Sequence, residues 1–268
     1  MKRIKTAVLA ALALAAALGA TAQAAPIVLK VGASLVPHAA ILKSVVPVLK
    51  AQGIDLRIIE FTDYVQPNLA LQNKELDADY FQHLPYLSDF NAKNGTKLVV
   101  GVYVHFEPLG LYPGRTKSIA ALKKGATIAV PNDTTNEARA LLLLESAGLI
   151  KLDHAIGLKA TAKDITDNPK GIKIKELEAA QVARALPDVD LAVINGNYAI
   201  DAGLSAAKDA LKAEDKDSLA AKTYANLLAI RAGDEKRSEI LALEKALTSE
   251  AVRKFILDTY KGAVLPAF

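Results

Sequence analysis

Short apolar runs alternate with stretches whose apolar residues recur at helical spacing along most of the chain beyond residue 26. The pattern predicts a strand over residues 27–33, a helix over about 37–52 and a second strand over 54–61. Gly53 lies between this helix and the second strand, where a glycine is a typical helix stop. The chain therefore opens as a β-α-β unit.

The alternation of strands and helices continues into the second half of the chain. Helices are predicted over residues 79–94 and 118–124, and strands over 127–130 and 190–194. Strands that alternate with helices favour parallel α/β sheets, and we expect one sheet in each half. The predicted fold class is therefore α/β.

Two extended segments, residues 105–110 and 222–226, are the natural places for the chain to cross between two such units. We expect lobe 1 to consist of residues 25–107 and 225–268, and lobe 2 of residues 108–224. Ligand sites in open α/β sheets lie beyond the carboxyl ends of the strands, often between domains. We therefore expect a ligand cleft between the two lobes.

The first 24 residues have the order of a secretory signal peptide. Residues 1–5 carry three positive charges, residues 6–20 are almost wholly apolar, and Ala22-Gln23-Ala24 supplies small residues at a cleavage site. The apolar run of about 15 residues is short beside the roughly 20 that a membrane-spanning helix needs. We expect export with cleavage after about Ala24, and an uncleaved anchor is the alternative.

The basic excess of the chain lies in that leading segment. The whole chain has 33 Lys and Arg against 29 Asp and Glu, a formal charge of +4. Residues 1–24 hold three of the basic residues and none of the acidic ones, which leaves 30 against 29. A nearly neutral chain lacks the broad positive field that supports nucleic-acid binding. We therefore expect no nucleic-acid partner.

Aromatic residues are concentrated near the ends of the first predicted strands. Tyr64 follows the second strand, and Tyr80, Phe81, His83 and Tyr86 lie within seven residues of one another. Such rings can form an apolar box that suits a hydrocarbon or sulfur-containing side chain. The alternative is that the rings pack into the core and that the histidine is structural.

Polar residues mark three other element ends. Thr134 and Glu137 form a capping-box pattern, so a helix N-terminus with its free N–H groups follows a strand there. Arg139, two residues after Glu137, could donate two parallel hydrogen bonds to a carboxylate. Asn195 and Asn226 place side-chain amides at strand ends. The alternatives are that the cap only starts the helix, that Arg139 pairs with a surface acid, and that the asparagines cap turns. Together with the aromatic box, these groups suit a small zwitterion with an apolar tail, which describes an amino acid.

Several kinds of chemistry are excluded or weakly supported. The chain contains no Cys, which excludes disulfides, thiolate metal sites and a cysteine nucleophile. It has no G-x-S-x-G, H-E-x-x-H, P-loop or G-x-G-x-x-G motif. Asp79 and His83, four residues apart, make only a weak two-ligand metal pair. We predict no metal, no cofactor and no catalytic residue; an exported α/β enzyme that uses His83 is the alternative from another class.

Several sequence runs resemble one known family over nearly the whole chain. They are EFTDYVQPN at 60–68, LDADYFQHLPYL at 76–87, PNDTTNEARALLLL at 131–144, LAVINGNYA at 191–199 and YKGAVLPAF at 260–268. They are similar to motifs of the NlpA family of substrate-binding lipoproteins, the methionine-binding components of bacterial ABC importers. The resemblance implies a two-lobed periplasmic-binding-protein fold, type II-like, with the ligand clamped between the lobes.

The resemblance also implies a set of ligand-binding residues. These are Tyr64, Phe81 and Tyr86 around a methionine side chain, His83 beside it, Asn136 and Arg139 near the carboxylate, and Asn195 and Asn226 at the amino acid's backbone groups.

The implied partners are a small-molecule ligand, a membrane permease and its ATPase, with a monomeric, non-enzymatic receptor that delivers methionine to them. One departure concerns the lipid anchor, because most family members carry an acylated Cys after the signal and this chain has no Cys. We therefore expect an unanchored protein of the periplasm. Another apolar amino acid, a methionyl dipeptide or an adhesin role remain alternatives.

Overall fold

The computed structural model describes residues 25–268, which form an α/β structure with two main sheets. Its strands in chain order are β1 (Ile27–Ser34), β2 (Ile54–Phe61), β3 (Ala78–His83), β4 (Leu98–Phe106), β5 (Gly110–Pro113), β6 (Thr127–Pro131), β7 (Lys151–Leu152), β8 (Ile165–Asp167), β9 (Lys173–Leu177), β10 (Leu191–Ile194), β11 (Lys212–Ala213), β12 (Asn226–Arg231) and β13 (Leu265–Pro266).

Helices connect most of these strands and cover the sheets. The α-helices are α1 (Ala40–Ala51), α2 (Gln66–Gln72), α3 (Leu84–Asn94), α4 (Thr134–Ser146), α5 (Ala179–Val182), α6 (Gly196–Asp201), α7 (Leu219–Thr223), α8 (Ser238–Leu247) and α9 (Glu250–Tyr260). Within residues 25–268, no helix is both long enough and apolar enough to cross a membrane. The predicted signal peptide lies outside the described residues.

The two main sheets are each part parallel and part antiparallel. The six-stranded sheet has the spatial order β13-β4-β12-β3-β1-β2, and the five-stranded sheet the order β11-β5-β10-β6-β9. In the first sheet β2, β1 and β3 are parallel, whereas β12 runs antiparallel to both of its neighbours. In the second sheet β9, β6 and β10 are parallel, and β5 is antiparallel to β10.

The chain passes between the sheets twice, which gives the protein two lobes. It leaves the six-stranded sheet of lobe 1 after Phe106 and enters the five-stranded sheet of lobe 2 at Gly110. It returns between Ala213 and Asn226, a longer path than the 222–226 stretch expected to carry the return. The mixed α/β class and the two-lobed architecture thus agree with the sequence-based prediction.

Each lobe has its own apolar core. In lobe 1, helix α1 buries Ile41, Leu42, Val45 and Leu49 against the sheet, at spacings that put them on one helix face. Each fully buried side chain of this kind stabilises the fold by about 1.5–3 kcal/mol. A second cluster fills lobe 2 around Ile128 and neighbouring strands. The lobes are therefore stable frames that hold the strand ends in place.

The predicted helix over residues 79–94 is wrong in its first five residues. Ala78–His83 is strand β3, and the helix is only Leu84–Asn94. All six residues of β3 are buried, because both faces of the strand are covered: Ala78 and Tyr80 lie in the lobe 1 core, and Phe81 on the other face packs against Tyr86. A strand buried on both faces loses the alternation of apolar and polar residues that would reveal it. Asp79 and His83 therefore lie about 13 Å apart along an extended chain, too far to share a metal.

Two smaller predictions are also corrected. Residues 118–124 form turns rather than a helix, and the Ser118 hydroxyl accepts a hydrogen bond from the Ala121 N–H at 3.2 Å. Such local side-chain bonds compete with helix formation. The cap of α4 is Asp133, whose carboxylate accepts from the Asn136 N–H at 3.0 Å, whereas Thr134 is already helical. Glu137 accepts from the Ala162 N–H instead of closing the predicted capping box.

Candidate functional site

A cavity lies between the lobes, where strand ends of both sheets meet. It is lined by Tyr64, Phe81, Gln82, His83, Tyr86, Glu107, Asn136, Arg139, Asn195, Gly196, Asn197 and Asn226. The structure therefore brings all eight sequence-predicted site residues together at one cavity. Strand ends facing one another across two sheets are the usual position of a ligand site in α/β proteins.

The lobe 1 side of the cavity contains three aromatic rings in mutual contact. The ring of Phe81 lies 5.7 Å from that of Tyr64 and 5.9 Å from that of Tyr86, measured between centroids. The hydroxyl of Tyr86 donates to the Tyr64 carbonyl at 2.9 Å and fixes the pair. Tilted and edge-to-face pairs of this kind are favourable and leave ring faces free for an apolar group. This side of the cavity can therefore hold an apolar side chain.

His83 and Asn226 lie next to each other at the edge of the lobe 1 sheet. They are paired in register between β3 and β12, and His105 is the partner of Asn226 on β4. Nδ1 of His83 accepts from the Tyr86 N–H at 3.2 Å, which leaves the proton on Nε2, 3.2 Å from Oδ1 of Asn136. Burial lowers the pKa of His83 to about 3, so the ring is neutral at physiological pH. A neutral, fully bonded ring positions its neighbours and carries no charge to the site.

The lobe 2 side of the cavity is polar and is organised by the start of α4. The Asp133 carboxylate accepts from both the backbone N–H and the side-chain amide of Asn136. Oδ1 of Asn136 in turn accepts from the side-chain amide of Asn195 at 2.8 Å. Oδ1 of Asn195 is buried and has no hydrogen-bond partner within residues 25–268. An unpaired buried oxygen is costly, so this atom is available to a ligand N–H group.

Arg139 is held by partners from both crossings between the lobes. Its Nε donates to Oε1 of Glu214 at 2.8 Å, and its Nη2 donates to Oε2 of Glu214 at 2.5 Å and to the Glu107 carbonyl at 3.0 Å. The guanidinium also lies 4.2 Å from the ring centre of Tyr224. Burial lowers the pKa of Arg139, but the Glu214 carboxylate outweighs it and the net pKa is raised. The sequence predicted that the paired N–H groups of Arg139 bind a ligand carboxylate, but Nε and Nη2 are bound to Glu214. Among the described residues, only Nη1 of the guanidinium has no protein acceptor.

Glu107 is a carboxylate at the cavity that the sequence analysis did not identify. Its Oε1 accepts from Nε2 of His105 at 2.7 Å and lies 3.4 Å from Nε2 of His38. The hydroxyl of Tyr80 donates to Nδ1 of His105, which fixes the tautomer of that ring. Burial raises the pKa of Glu107, and the nearby His38 and Arg139 groups act in the opposite direction. The cavity thus contains an acid as well as a guanidinium.

His38, His105 and Glu107 are close enough together to be considered as a metal site. Their ligand atoms lie within 4.8 Å of one another, and all three side chains are buried. Nε2 of His105 already donates to Glu107, and Nε2 of His38 donates to Oδ1 of Asn226 at 2.9 Å. The two nitrogens that face the carboxylate are thus engaged in hydrogen bonds. The geometry fits a buried hydrogen-bond network around a carboxylate.

Hydrogen bonds across the cleft show that the lobes are closed on each other. The hydroxyl of Tyr64 donates to Oδ1 of Asn197 at 2.5 Å, and that of Tyr198 donates to the Thr62 carbonyl at 3.0 Å. The Tyr64 and Tyr198 rings also lie 5.1 Å apart. These contacts join residues more than 130 positions apart in the chain and close the cavity from the aromatic side.

Four cavity residues were missed by sequence reasoning, namely Gln82, Glu107, Gly196 and Asn197. Glu107 had a visible signal, because it is the single acid within the apolar run from Leu98 to Tyr112. Only a glycine fits at position 196, because a Cβ there would lie 2.5 Å from the side chain of Glu107. The sequence alone does not reveal this requirement, because it depends on a contact between residues that are far apart in the chain.

Comparisons with known proteins agree with this geometry. The family model described as NlpA lipoprotein matches residues 29–268. Methionine-binding lipoprotein MetQ of Bacillus subtilis is 42% identical over 240 residues, which cover 88% of this chain and 86% of that protein. A nutrient-binding protein from Burkholderia cenocepacia, solved bound to methionine, has a TM-score of 0.85 and 44% identity, with 90% of this chain and 100% of that chain covered.

Lipoprotein Tp32 from Treponema pallidum has the same TM-score of 0.85, at 41% identity, with 90% of this chain and 99% of that chain covered. These similarities extend through both lobes and both crossings. The resemblance found in the sequence motifs is thereby confirmed. The chain belongs to the NlpA lipoprotein family.

Proposed function

We propose that this protein is the substrate-binding component of an ABC importer and that its ligand is methionine. The observation that carries the proposal is the make-up of one closed cavity. It combines an aromatic box with a free guanidinium edge on Arg139, a buried carboxylate on Glu107 and an unpaired amide oxygen on Asn195. These are the groups needed to bind an amino-acid zwitterion with an apolar side chain.

The polar groups would bind the charged ends of the ligand. Nη1 of Arg139 would donate to the ligand carboxylate, since the other N–H groups of the guanidinium are already used. Glu107 and Oδ1 of Asn195 would accept from the ligand ammonium. The ligand ammonium would add a positive charge beside Glu107, whose burial otherwise disfavours the charged form of its carboxyl group.

The aromatic box would select the side chain. Phe81, Tyr64 and Tyr86 present ring faces and edges to the cavity, and a thioether makes favourable contacts with such rings. A branched aliphatic side chain would fill the same space with poorer contacts. The methionine-bound relative from Burkholderia cenocepacia supports this choice of ligand.

Binding would be coupled to closure of the lobes. The cross-lobe hydrogen bonds of Tyr64 and Tyr198 form only when the lobes are closed. A ligand that contacts both lobes therefore favours the closed state. We propose lobe boundaries near 107/108 and 224/225, with the eight sequence-predicted residues as ligand contacts. The closed form would dock, as a monomer, on a permease driven by a separate ATPase, with no chemical step on the ligand.

Calorimetry and thermal unfolding of purified residues 25–268 test the proposal. At a free methionine concentration 100 times Kd, binding stabilises the folded state by about 2.7 kcal/mol. For a chain of this size the shift in Tm is roughly 5–10 °C. Alanine and glutamate, which lack a fitting side chain, serve as controls. No heat and no shift with methionine, leucine or a methionyl dipeptide would overturn the proposal, and a shift with only one of the latter would reassign the ligand.

We also propose that the protein is exported and works in the periplasm without a lipid anchor. Support comes from the signal-like residues 1–24 and from the absence of Cys in the 268 residues, because the family's lipid is attached through a cysteine. Mass spectrometry of protein from the periplasmic fraction should give a chain that begins at about residue 25. Partition into the detergent phase of Triton X-114 would contradict the unanchored state.

A further inference from the structure

Glu214 lies at the start of the return crossing, directly after β11. It is not one of the eight residues that the sequence predicts as ligand contacts. Its side chain is only 9% exposed although it carries a charge. The carboxylate contacts Arg139 through both oxygens, and Oε2 also accepts from the Leu109 N–H at 2.9 Å. A buried carboxylate with three such donors is fully satisfied and fixed in position.

The pair formed by Glu214 and Arg139 decides which edge of the guanidinium faces the cavity. A guanidinium has five N–H donors. Nε uses its donor on Glu214, and Nη2 uses its two donors on Glu214 and the Glu107 carbonyl. The two remaining donors are both on Nη1, and Arg139 lines the cavity. Glu214 therefore orients Arg139 so that one nitrogen is presented to the ligand.

The same pair ties the two crossings to each other. The Glu214 N–H donates to the Leu109 carbonyl at 3.0 Å, and the Leu109 N–H donates back to the Glu214 side chain. Arg139 adds a bond to the Glu107 carbonyl in the outgoing crossing and lies on the ring of Tyr224 in the return crossing. One buried ion pair thus contacts both segments that must move when the lobes open or close.

We propose that Glu214 is a positioning residue for ligand binding, which orients Arg139 toward the ligand carboxylate and joins the two crossings. The inference rests on the proposed function. It differs from a role in which Glu214 competes with the ligand for Arg139. If Glu214 competed with the ligand, removing its charge would raise the affinity for the ligand. If Glu214 positions Arg139, the same change lowers that affinity.

The Glu214→Gln variant tests the proposal by isothermal titration of residues 25–268 with L-methionine and with L-methioninamide, which lacks the carboxylate. Gln has the same shape, but its NH₂ group faces the N–H donors of Arg139 or Leu109. We expect the affinity for methionine to fall at least 10-fold and that for methioninamide to change less than 3-fold. Glu60→Gln, an equal charge change at an exposed lobe 1 pair with Lys43, should change neither.

Each other outcome is decisive. An unchanged or tighter methionine affinity in the Gln variant overturns the proposal, and equal losses for the two ligands reduce Glu214 to a structural residue. Glu214→Asp, which keeps the charge, should bind between wild type and the Gln variant; it serves as the test if the Gln variant does not fold. Absence of methionine binding in the wild type is a failure of the proposed function and is recognised before any variant is measured.

Discussion

The two walls of the cavity are built in different ways. On the lobe 1 side, Tyr64, Phe81 and Tyr86 hold one another by ring contacts. On the lobe 2 side, Asn136 and Arg139 are held by charged groups that do not themselves need to touch a ligand. The first wall is positioned by packing, and the second is positioned by buried hydrogen bonds to acids.

This difference predicts different consequences of mutation. Removing one ring from the aromatic wall leaves the others packed, so the loss is confined to the contacts of that ring. Removing one member of the polar wall leaves its buried partner without a bond, which costs more than the contact itself. The polar wall should therefore control overall affinity, and the aromatic wall should control which side chain is bound.

The largest effect is expected for Arg139→Ala. The change removes the guanidinium proposed to bind the ligand carboxylate and leaves Glu214 buried without a counter-charge, and such losses cost about 2–5 kcal/mol. Methionine affinity should fall by roughly 30-fold or more by calorimetry, and Tm should fall as well. Arg139→Ala combined with Glu214→Gln should recover part of the stability but not the affinity. A methionine affinity within threefold of wild type would remove Arg139 from the site.

Phe81→Ala should have the second largest effect and should change selectivity. Truncating a buried aromatic contact costs about 1–3 kcal/mol of binding, or roughly 5- to 150-fold for methionine. Alanine as ligand does not reach the box, so its weak affinity should change little. Competition calorimetry gives the ratio of the two affinities. Equal losses for both ligands would contradict the separate roles of the walls.

Tyr198→Phe tests the closed state without touching the cavity lining. It removes the cross-lobe bond from the Tyr198 hydroxyl to the Thr62 carbonyl, worth about 0.5–1.5 kcal/mol. Methionine affinity should fall by roughly 2- to 10-fold, mainly through faster dissociation in stopped-flow measurements. Tyr260→Phe, which loses a weaker bond within lobe 1, is the matched control. A slower association with unchanged dissociation would argue against a role in closure.

Asp79→Asn should alter stability with pH and leave affinity nearly unchanged. Burial raises the pKa of Asp79 to about 8, whereas in the unfolded chain it is about 3.9. Between these values the unfolded chain binds fewer protons, so the stability of the wild type falls as pH rises. The variant should gain roughly 1–3 kcal/mol relative to wild type by pH 8.

Thermal scans from pH 4 to pH 8 measure this difference, which should be smallest at the acid end. Asp55→Asn, at an exposed carboxylate of the same lobe, should show no such trend. A gap between the Asp79 variant and the wild type that stays constant with pH would show that the Asp79 carboxyl does not stay protonated in the folded protein.

The sequence was sufficient for the fold class and for eight of the twelve residues that line the cavity. Strand and helix order could be read from local apolar spacing, and the motif runs around Phe81 and Arg139 pointed to the site. β3 was mistaken for helix because burial on both faces removes its alternation. Glu214 could not be found, because its role depends on contact with a residue 75 positions away. Local patterns cannot report such pairings.

The position of β12 has a consequence for the order in which the protein folds. This strand lies between β3 and β4 in the middle of the lobe 1 sheet but comes from the last part of the chain. The strands of lobe 2, in contrast, all come from one continuous stretch. Lobe 2 can therefore fold first, while lobe 1 stays open along its centre until the carboxyl-terminal segment arrives.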